Sequence, residues 1–288
     1  MKAIFKRELR SYYNTMLGYV CTAALLLFFG IYFMAYNLFA GSPYFSDTLS
    51  ACLFLLMLLV PLLTMRSLAE ERSSRTDQLL LTAPVTVTEV VLGKYFAMAA
   101  VFAVPVLIAC LCPLIIKLNG TAYLAADYAT LLAFFLLGGV YLAVGLLISA
   151  LTESQLIAAV GTFAVLLLLT LWDGLLSFLP VTAIGSLWGL ALLLVVLCLV
   201  LHALSDNWKV TAGTLFVGGI ALLGGYLYKS EAFAGLLPKL LGKFSLMGAF
   251  DQFATQHIFD LSGLFLYLSL IALLLFLTVQ VIDRRRWN

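Results

Sequence analysis

Charge is scarce in this sequence. Only 10% of its 288 residues are Asp, Glu, Lys or Arg, and histidine occurs twice. Soluble domains carry about 25% charged residues, so a surface that meets water on every side is excluded. The net charge of +2 is too small for a nucleic-acid partner. The two histidines leave no metal centre: His202 has Asp206 four residues on and His257 has Asp260 three on, and neither pair has a third ligand nearby. Interfacial hydrogen bonding is the plainer role for both pairs. There is no H-E-x-x-H and no G-x-S-x-G, which leaves zinc-protease, hydrolase and other intramembrane-enzyme chemistry without support.

Other absences narrow the field further. The five cysteines (Cys21, Cys52, Cys110, Cys112, Cys198) all lie in apolar runs, and Cys110-Leu-Cys112 lacks zinc-site spacing, so they read as packing residues. An ATPase needs a G-x-x-x-x-G-K-[ST] loop. Gly93-Lys94-Tyr95 and Gly242-Lys243-Phe244 both lack the hydroxyl residue and the upstream glycine, so this chain binds no nucleotide cofactor of its own. Ionisable residues near the apolar runs are few: Asp127 and Asp283 fall at run ends, where solvation is easy, and Asp173 lies about two-thirds through its run. Asp173 is the one candidate pathway carboxylate, with a helix break or interfacial cap as its alternative. So few mid-membrane charges argue against a proton- or sodium-coupled carrier.

What the sequence does hold is oil. It is 64% apolar, with a mean hydropathy of +1.12. A helix needs about 20 mostly apolar residues to cross the hydrocarbon core. Candidate spans run over 17–39, 48–65, 95–117, 127–150, 156–179, 187–204, 210–228 and 262–282. Satisfying the backbone internally makes these helices, which gives an all-α polytopic membrane protein of about eight spans in a single domain, 1–288. The first run exceeds a signal-peptide core and reads as an uncleaved span. With both ends in the cytoplasm, twelve of the 16 Lys and Arg lie on that side, as the positive-inside rule requires. Treating 187–228 as a non-spanning hairpin keeps the same ends inside, so six spans satisfy the rule equally. The expected location is the cell (plasma or inner) membrane.

Two amphipathic pieces flank the spans. In 1–16, Phe5, Leu9, Tyr12, Tyr13 and Met16 recur at helical spacing opposite Lys6, Arg7 and Arg10, as in an interfacial helix whose basic side meets lipid headgroups. In 229–261, outside the membrane, Leu237, Leu240, Leu241, Phe244 and Met247 form a stripe that Pro238 and Gly242 break or bend.

One polar passage stands out, AEERSSRTDQLLLTAPVTVTEVVLGKY, from Ala69 to Tyr95. Ala69 to Ala83 is rich in helix formers, and Glu71 and Arg75 are spaced for an i,i+4 pair. Pro84 ends that helix, and Thr86-x-x-Glu89 is a capping box that opens the next. Leu79, Leu80 and Leu81 form an apolar patch framed by charge, the composition of a docking surface.

Around this passage the chain resembles the membrane subunits of ABC transporters in the ABC-2 family of permeases, most of all their gliding-motility and nitrous-oxide-accessory branch. The resemblance rests on Arg7-Glu8-Leu9-Arg10-Ser11-Tyr12-Tyr13; on Pro61 and Thr64-Met65-Arg66-Ser67-Leu68-Ala69-Glu70-Glu71-Arg72; and on Thr76-x-x-Leu79-Leu80-Leu81-Thr82-Ala83-Pro84-Val85 with Glu89-Val-Val-Leu-Gly93-Lys94. It extends to Gly145-x-x-Ile148-Ser149-x-Leu151-Thr152-x-x-Gln155 and to Phe276-Leu277-Thr278 through Arg285-Arg286-Trp287, covering 1–179 and roughly 244–288.

The resemblance implies a permease that dimerises with a second copy or a paralogue, each copy docking one cytoplasmic ATPase subunit, with ATP and Mg2+ held by that partner. It implies a coupling region over 66–94, with Glu70, Glu71, Arg72, Thr76, Leu79, Leu80, Leu81, Pro84, Glu89 and Lys94 as its contact residues. The interfacial helix, through Phe5, Arg7, Glu8 and Arg10, contacts the ATPase and membrane lipid. An ATP-driven exporter of an amphiphile is the leading expectation; a membrane scaffold that uses ATPase motion mechanically is the alternative. Two departures stand out. Arg75 occupies a position where the family usually has glycine, and 186–228 inserts a hairpin of two spans into a six-span family core.

Overall fold

The computed structural model describes residues 1–76, 86–205, 215 and 233–286. All regular structure among them is helical. The chain forms two compact units, one of Met1–Thr170 with Ala249–Asn288 and one of Leu171–Gly248.

The first unit opens with α1 (Lys2–Asn14), the expected amphipathic helix, and α2 (Leu17–Tyr32), which continues as a π-helical turn over Phe33–Phe39. Met16, assigned to the apolar stripe of α1, instead forms the joint between them, left-handed at φ 59° and largely exposed. There follow α3 (Ser46–Thr64), α4 (Ala69–Ser73), α5 (Val87–Ala109), α6 (Cys112–Asn119), α7 (Leu124–Leu151) and α8 (Gln155–Thr170). Among the described residues, five helical stretches are long and apolar enough to cross a membrane: Leu17–Phe39, Ser46–Ser73, Val87–Asn119, Leu124–Leu151 and Leu261–Arg284. They contain the expected spans 17–39, 48–65, 95–117, 127–150 and 262–282.

The expected span 156–179 is not one helix. Helix α8 stops after 16 residues, roughly 24 Å at 1.5 Å per residue and short of a ~30 Å core. Trp172 and Asp173 start a separate short helix, α9 (Trp172–Ser177). Span 187–204 falls inside α10 (Ala183–Ser205), whereas 210–228, apart from Leu215, and Asp206 lie outside the described residues.

Helix α7 is the centre of the first unit. It packs against α3, α5, α8 and α13 (Leu261–Arg286). Its aromatic layer places Phe134 against Phe29, Phe102 and Phe250. At one end of the unit, Asp127 is fully buried rather than solvated. Its Oδ1 accepts the Phe45 N–H at 2.8 Å, closing the entry to α3 from a neighbouring helix. The same entry is held by buried Asn37, whose amide donates to the carbonyls of Ser42 and Tyr44, both at 2.9 Å, while its Oδ1 accepts from Thr48 at 2.8 Å. His257 stacks on Tyr44 at 3.9 Å. Asp260 does not pair with it. Asp260 caps α13, taking the N–H groups of Ser262 and Gly263 at 2.9 Å each.

The second unit joins α9, α10 and α11 (Leu236–Gly242). Pro238 does not break α11; it sits in the first turn, where a missing N–H costs nothing, and Gly242 is the last helical residue. Trp172 donates to the Leu241 carbonyl at 3.1 Å, and Gly235 N–H to that of Val181 at 2.9 Å. The chain continues into α12 (Leu246–Ala254).

Asp127→Ala leaves the Phe45 N–H buried without an acceptor, so thermal unfolding in detergent should show a loss of about 1–3 kcal/mol. Asp127→Asn keeps an acceptor and should lose less.

Candidate functional site

The site forms where α3 breaks. Beyond Thr64 the chain turns through residues 65–68 before α4 begins, and a break in a helix strands carbonyls on one side and N–H groups on the other. Three other elements supply the partners. Tyr12 of α1 donates its hydroxyl to the Leu63 carbonyl at 3.1 Å. Lys94 of α5 donates to the Ser67 carbonyl at 2.7 Å. Ser149 of α7 accepts the N–H groups of Leu68 at 3.1 Å and Ala69 at 3.0 Å, capping α4 from outside its own segment. Two glycines permit these approaches. A Cβ on Gly145 would collide with Thr64, and one on Gly93 would stand 3.0 Å from Ile4.

Charge completes the junction. The Lys94 ammonium is only 1% exposed and lies 2.9 Å from Glu71 and 3.2 Å from Glu8. Arg7 reaches the same two carboxylates, at 2.7 Å to Glu8 and 3.1 Å to Glu71. Two cations thus face two anions in an alternating square. Its hydrogen bond to Glu8 raises the Arg7 pKa above its ordinary value. Burial raises that of Tyr12, which keeps its phenol a donor. Exposed ion pairs contribute about 0–1 kcal/mol, but removing one partner of a buried pair costs about 3–5 kcal/mol. Lys94 is buried, but Arg7 stays on both carboxylates when it is removed, which lessens that cost.

This arrangement corrects one expectation and adds a role. Arg7 stays exposed on α1 and also bonds Glu8 and Glu71 of the cluster. Glu71 does not pair with Arg75 along a helix, because α4 ends at Ser73 rather than running to Ala83. Arg75 lies beyond that end with φ 55°, in the left-handed region. Its N–H donates to the Arg72 carbonyl at 3.0 Å and that of Thr76 to Glu71 at 2.9 Å, the paired bonds of a Schellman turn. The position is therefore one that glycine fills at least cost, which explains why Arg75 is a departure and what it does there.

The remaining assigned residues are less concentrated. Glu70 stands 3.9 Å from Arg66, while Arg72 pairs with Glu153 at 2.6 Å. Thr76 is exposed and accepts or donates to Ser74 at 3.0 Å. Leu79, Leu80, Leu81 and Pro84 lie outside the described residues. Half of the capping box forms: Thr86 accepts the Glu89 N–H at 3.3 Å, while the Glu89 carboxylate lies 3.6 Å from the amino group of Met1. Phe5 is half-buried on α1 and Arg10 is exposed. Asp173 is remote from the junction in sequence and bonds elsewhere. It accepts from Ser245 at 2.6 Å, and Ser245 in turn accepts the Gly248 N–H at 2.8 Å.

Tyr12, Ser67, Ser149 and Glu153 were not singled out as site residues in the sequence. Tyr12 and Ser149 stand within motifs that carry the family resemblance, and a polar residue inside an apolar run was the available signal. Ser67 acts through its carbonyl, for which no sequence signal exists.

A family model described as ABC-2 family transporter protein matches residues 2–186, more than half of the chain. The chain belongs to the ABC-2 transporter family. No curated protein matches it. Membership makes it a multi-pass membrane protein of the permease type, in a family whose membrane subunit is generally non-catalytic and generally works with a cytoplasmic ABC ATPase. The match spans α1 to α9, so the whole junction of this ABC-2 protein falls inside it.

Lys94→Ala leaves Glu8 and Glu71 to Arg7 alone and the Ser67 carbonyl without its donor, and should lower stability in a thermal melt by about 1–3 kcal/mol, whereas exposed Lys117→Ala should change it by no more than about 0.5 kcal/mol. Arg75→Gly relieves the left-handed position and should stabilise by up to about 1 kcal/mol in the same melt, and Arg75→Val should destabilise.

Proposed function

We propose that the protein is the membrane subunit of an ATP-driven exporter, in which α4 and the passage after it receive the motion of a separately encoded ATPase. The observation that carries this reading is the Glu8–Lys94–Glu71 cluster. It ties α1, α4 and α5 together at the point where Ser149 also holds α4 to α7. A push on α4 therefore reaches spanning helices through buried bonds instead of dissipating in a loop, as a coupling element requires.

The docking face in this reading differs from the simplest assignment. Glu71 and Arg72 turn inward to partners of their own chain, while Glu70, Ser74, Arg75 and Thr76 are exposed. The exposed set, with the apolar patch expected at Leu79–Leu81, meets the ATPase. Each of two permease copies engages one ATPase, both chain ends face the cytoplasm of the cell membrane, and ATP and Mg2+ reside on the partner. The motif likeness to the gliding-motility and nitrous-oxide-accessory branch supports placing it there. The scarcity of charge along the spans favours an amphiphilic cargo.

The test is co-expression with the cognate ATPase and purification of the complex. The double reversal Glu70→Lys with Arg75→Glu should weaken ATPase retention at least about tenfold, a change of ~1.4 kcal/mol, with the helical circular-dichroism signal unchanged. Undiminished retention would place docking elsewhere.

A further inference from the structure

Arg7 is committed to the cluster, but the other cations of α1 are not. Among the described residues, Lys2, Lys6 and Arg10 have no carboxylate partner. Their four-residue spacing sets them along one face of α1. Beneath Lys2 lies a hollow of about 530 Å³, walled by Phe5, Phe96 and Phe135 and floored by Ala99, Ala100 and Ala103. At Ala103 and Phe135 it runs into a second hollow of about 270 Å³ that reaches Leu107, Cys110 and Tyr128. Residues 96, 99, 100, 103 and 107 share one face of α5, and Cys110 stands at its C-cap. Small side chains on that face, between large ones, leave a groove along an apolar helix.

We propose that this groove binds an anionic phospholipid of the leaflet facing α1, with its phosphate against Lys2 and an acyl chain along the alanine floor. Length fits, since Phe96 to Cys110 covers roughly 21 Å at 1.5 Å per residue, more than one leaflet's ~15 Å share of the hydrocarbon core. Charge fits as well. The groove is apolar along its course and meets an unpaired cation at its lip, with Lys6 and Arg10 further along the same face. The larger neighbouring cavity, about 810 Å³ between α5, α7 and α13, opens beside Asp283, a carboxylate that repels phosphate. The anionic head therefore belongs at Lys2. Each short side chain at 99, 100 and 103 leaves space that acyl methylenes fill with favourable contact. The site stands whether or not an ATPase docks.

Native mass spectrometry of the purified full chain tests it, with titration of phosphatidylglycerol and of phosphatidylcholine carrying the same acyl chains. The native chain should retain one phosphatidylglycerol in preference to phosphatidylcholine. Lys2→Gln should lower phosphatidylglycerol affinity about fivefold, the factor from one cation near an anionic surface, and leave phosphatidylcholine unchanged. Ala99→Leu with Ala103→Leu should abolish retention of both. Equal retention of the two lipids by the native chain, or phosphatidylglycerol retention indifferent to Lys2→Gln, overturns the proposal. Retention that survives the double leucine variant shows adsorption at the surface of α1 and overturns the groove. Lys2→Gln alters an exposed side chain, so its arm is readable even if the double variant fails to fold.

Discussion

A single ammonium, that of Lys94, decides how one end of this protein is organised. A cation buried in an apolar bundle is tolerable only if its charge and its hydrogen bonds are met. Lys94 meets that condition with three acceptors from two other segments: Glu8, Glu71 and the Ser67 carbonyl. Each acceptor fixes a backbone in turn. Glu8 places α1 across α5, where Gly93 admits Ile4. Glu71 sets the start of α4, and the Ser67 carbonyl sets the break before it.

The break would be costly without the rest. Where α3 gives way to the turn before α4, the Leu63 and Ser67 carbonyls and the Leu68 N–H are met by Tyr12, Lys94 and Ser149, one from each of three helices. The result is a short helix tied to the bundle by hydrogen bonds and ion pairs from neighbouring elements. Arg75 closes α4 in a left-handed conformation. In the proposed reading, a marginal helix tied to the bundle is what a subunit driven from outside needs.

Local rules were legible wherever the cause was local. The amphipathic α1, the Thr86 cap and most of the spans follow from spacing and residue type alone. Expectations failed where a distant partner decided the outcome. Asp127 looks like a solvated charge in one dimension, but the Phe45 N–H holds it inside. Glu71 and Arg75 have good helical spacing, yet the helix ends between them at the left-handed turn of Arg75, and Glu71 is held by Lys94. Apolar continuity across 156–179 concealed a break at which Trp172 and Asp173 find partners near 241 and 245.

By itself, then, the sequence determined the medium, the helical class and the family, because apolar length, periodicity and short motifs are properties of neighbouring residues. Which charges are buried, where α3 breaks and which residues remain free to meet a partner were decided only by the tertiary structure. The reason is physical. The energy of a buried charge depends on groups that the chain brings together from positions 8, 67, 71 and 94, and no local pattern fixes that meeting.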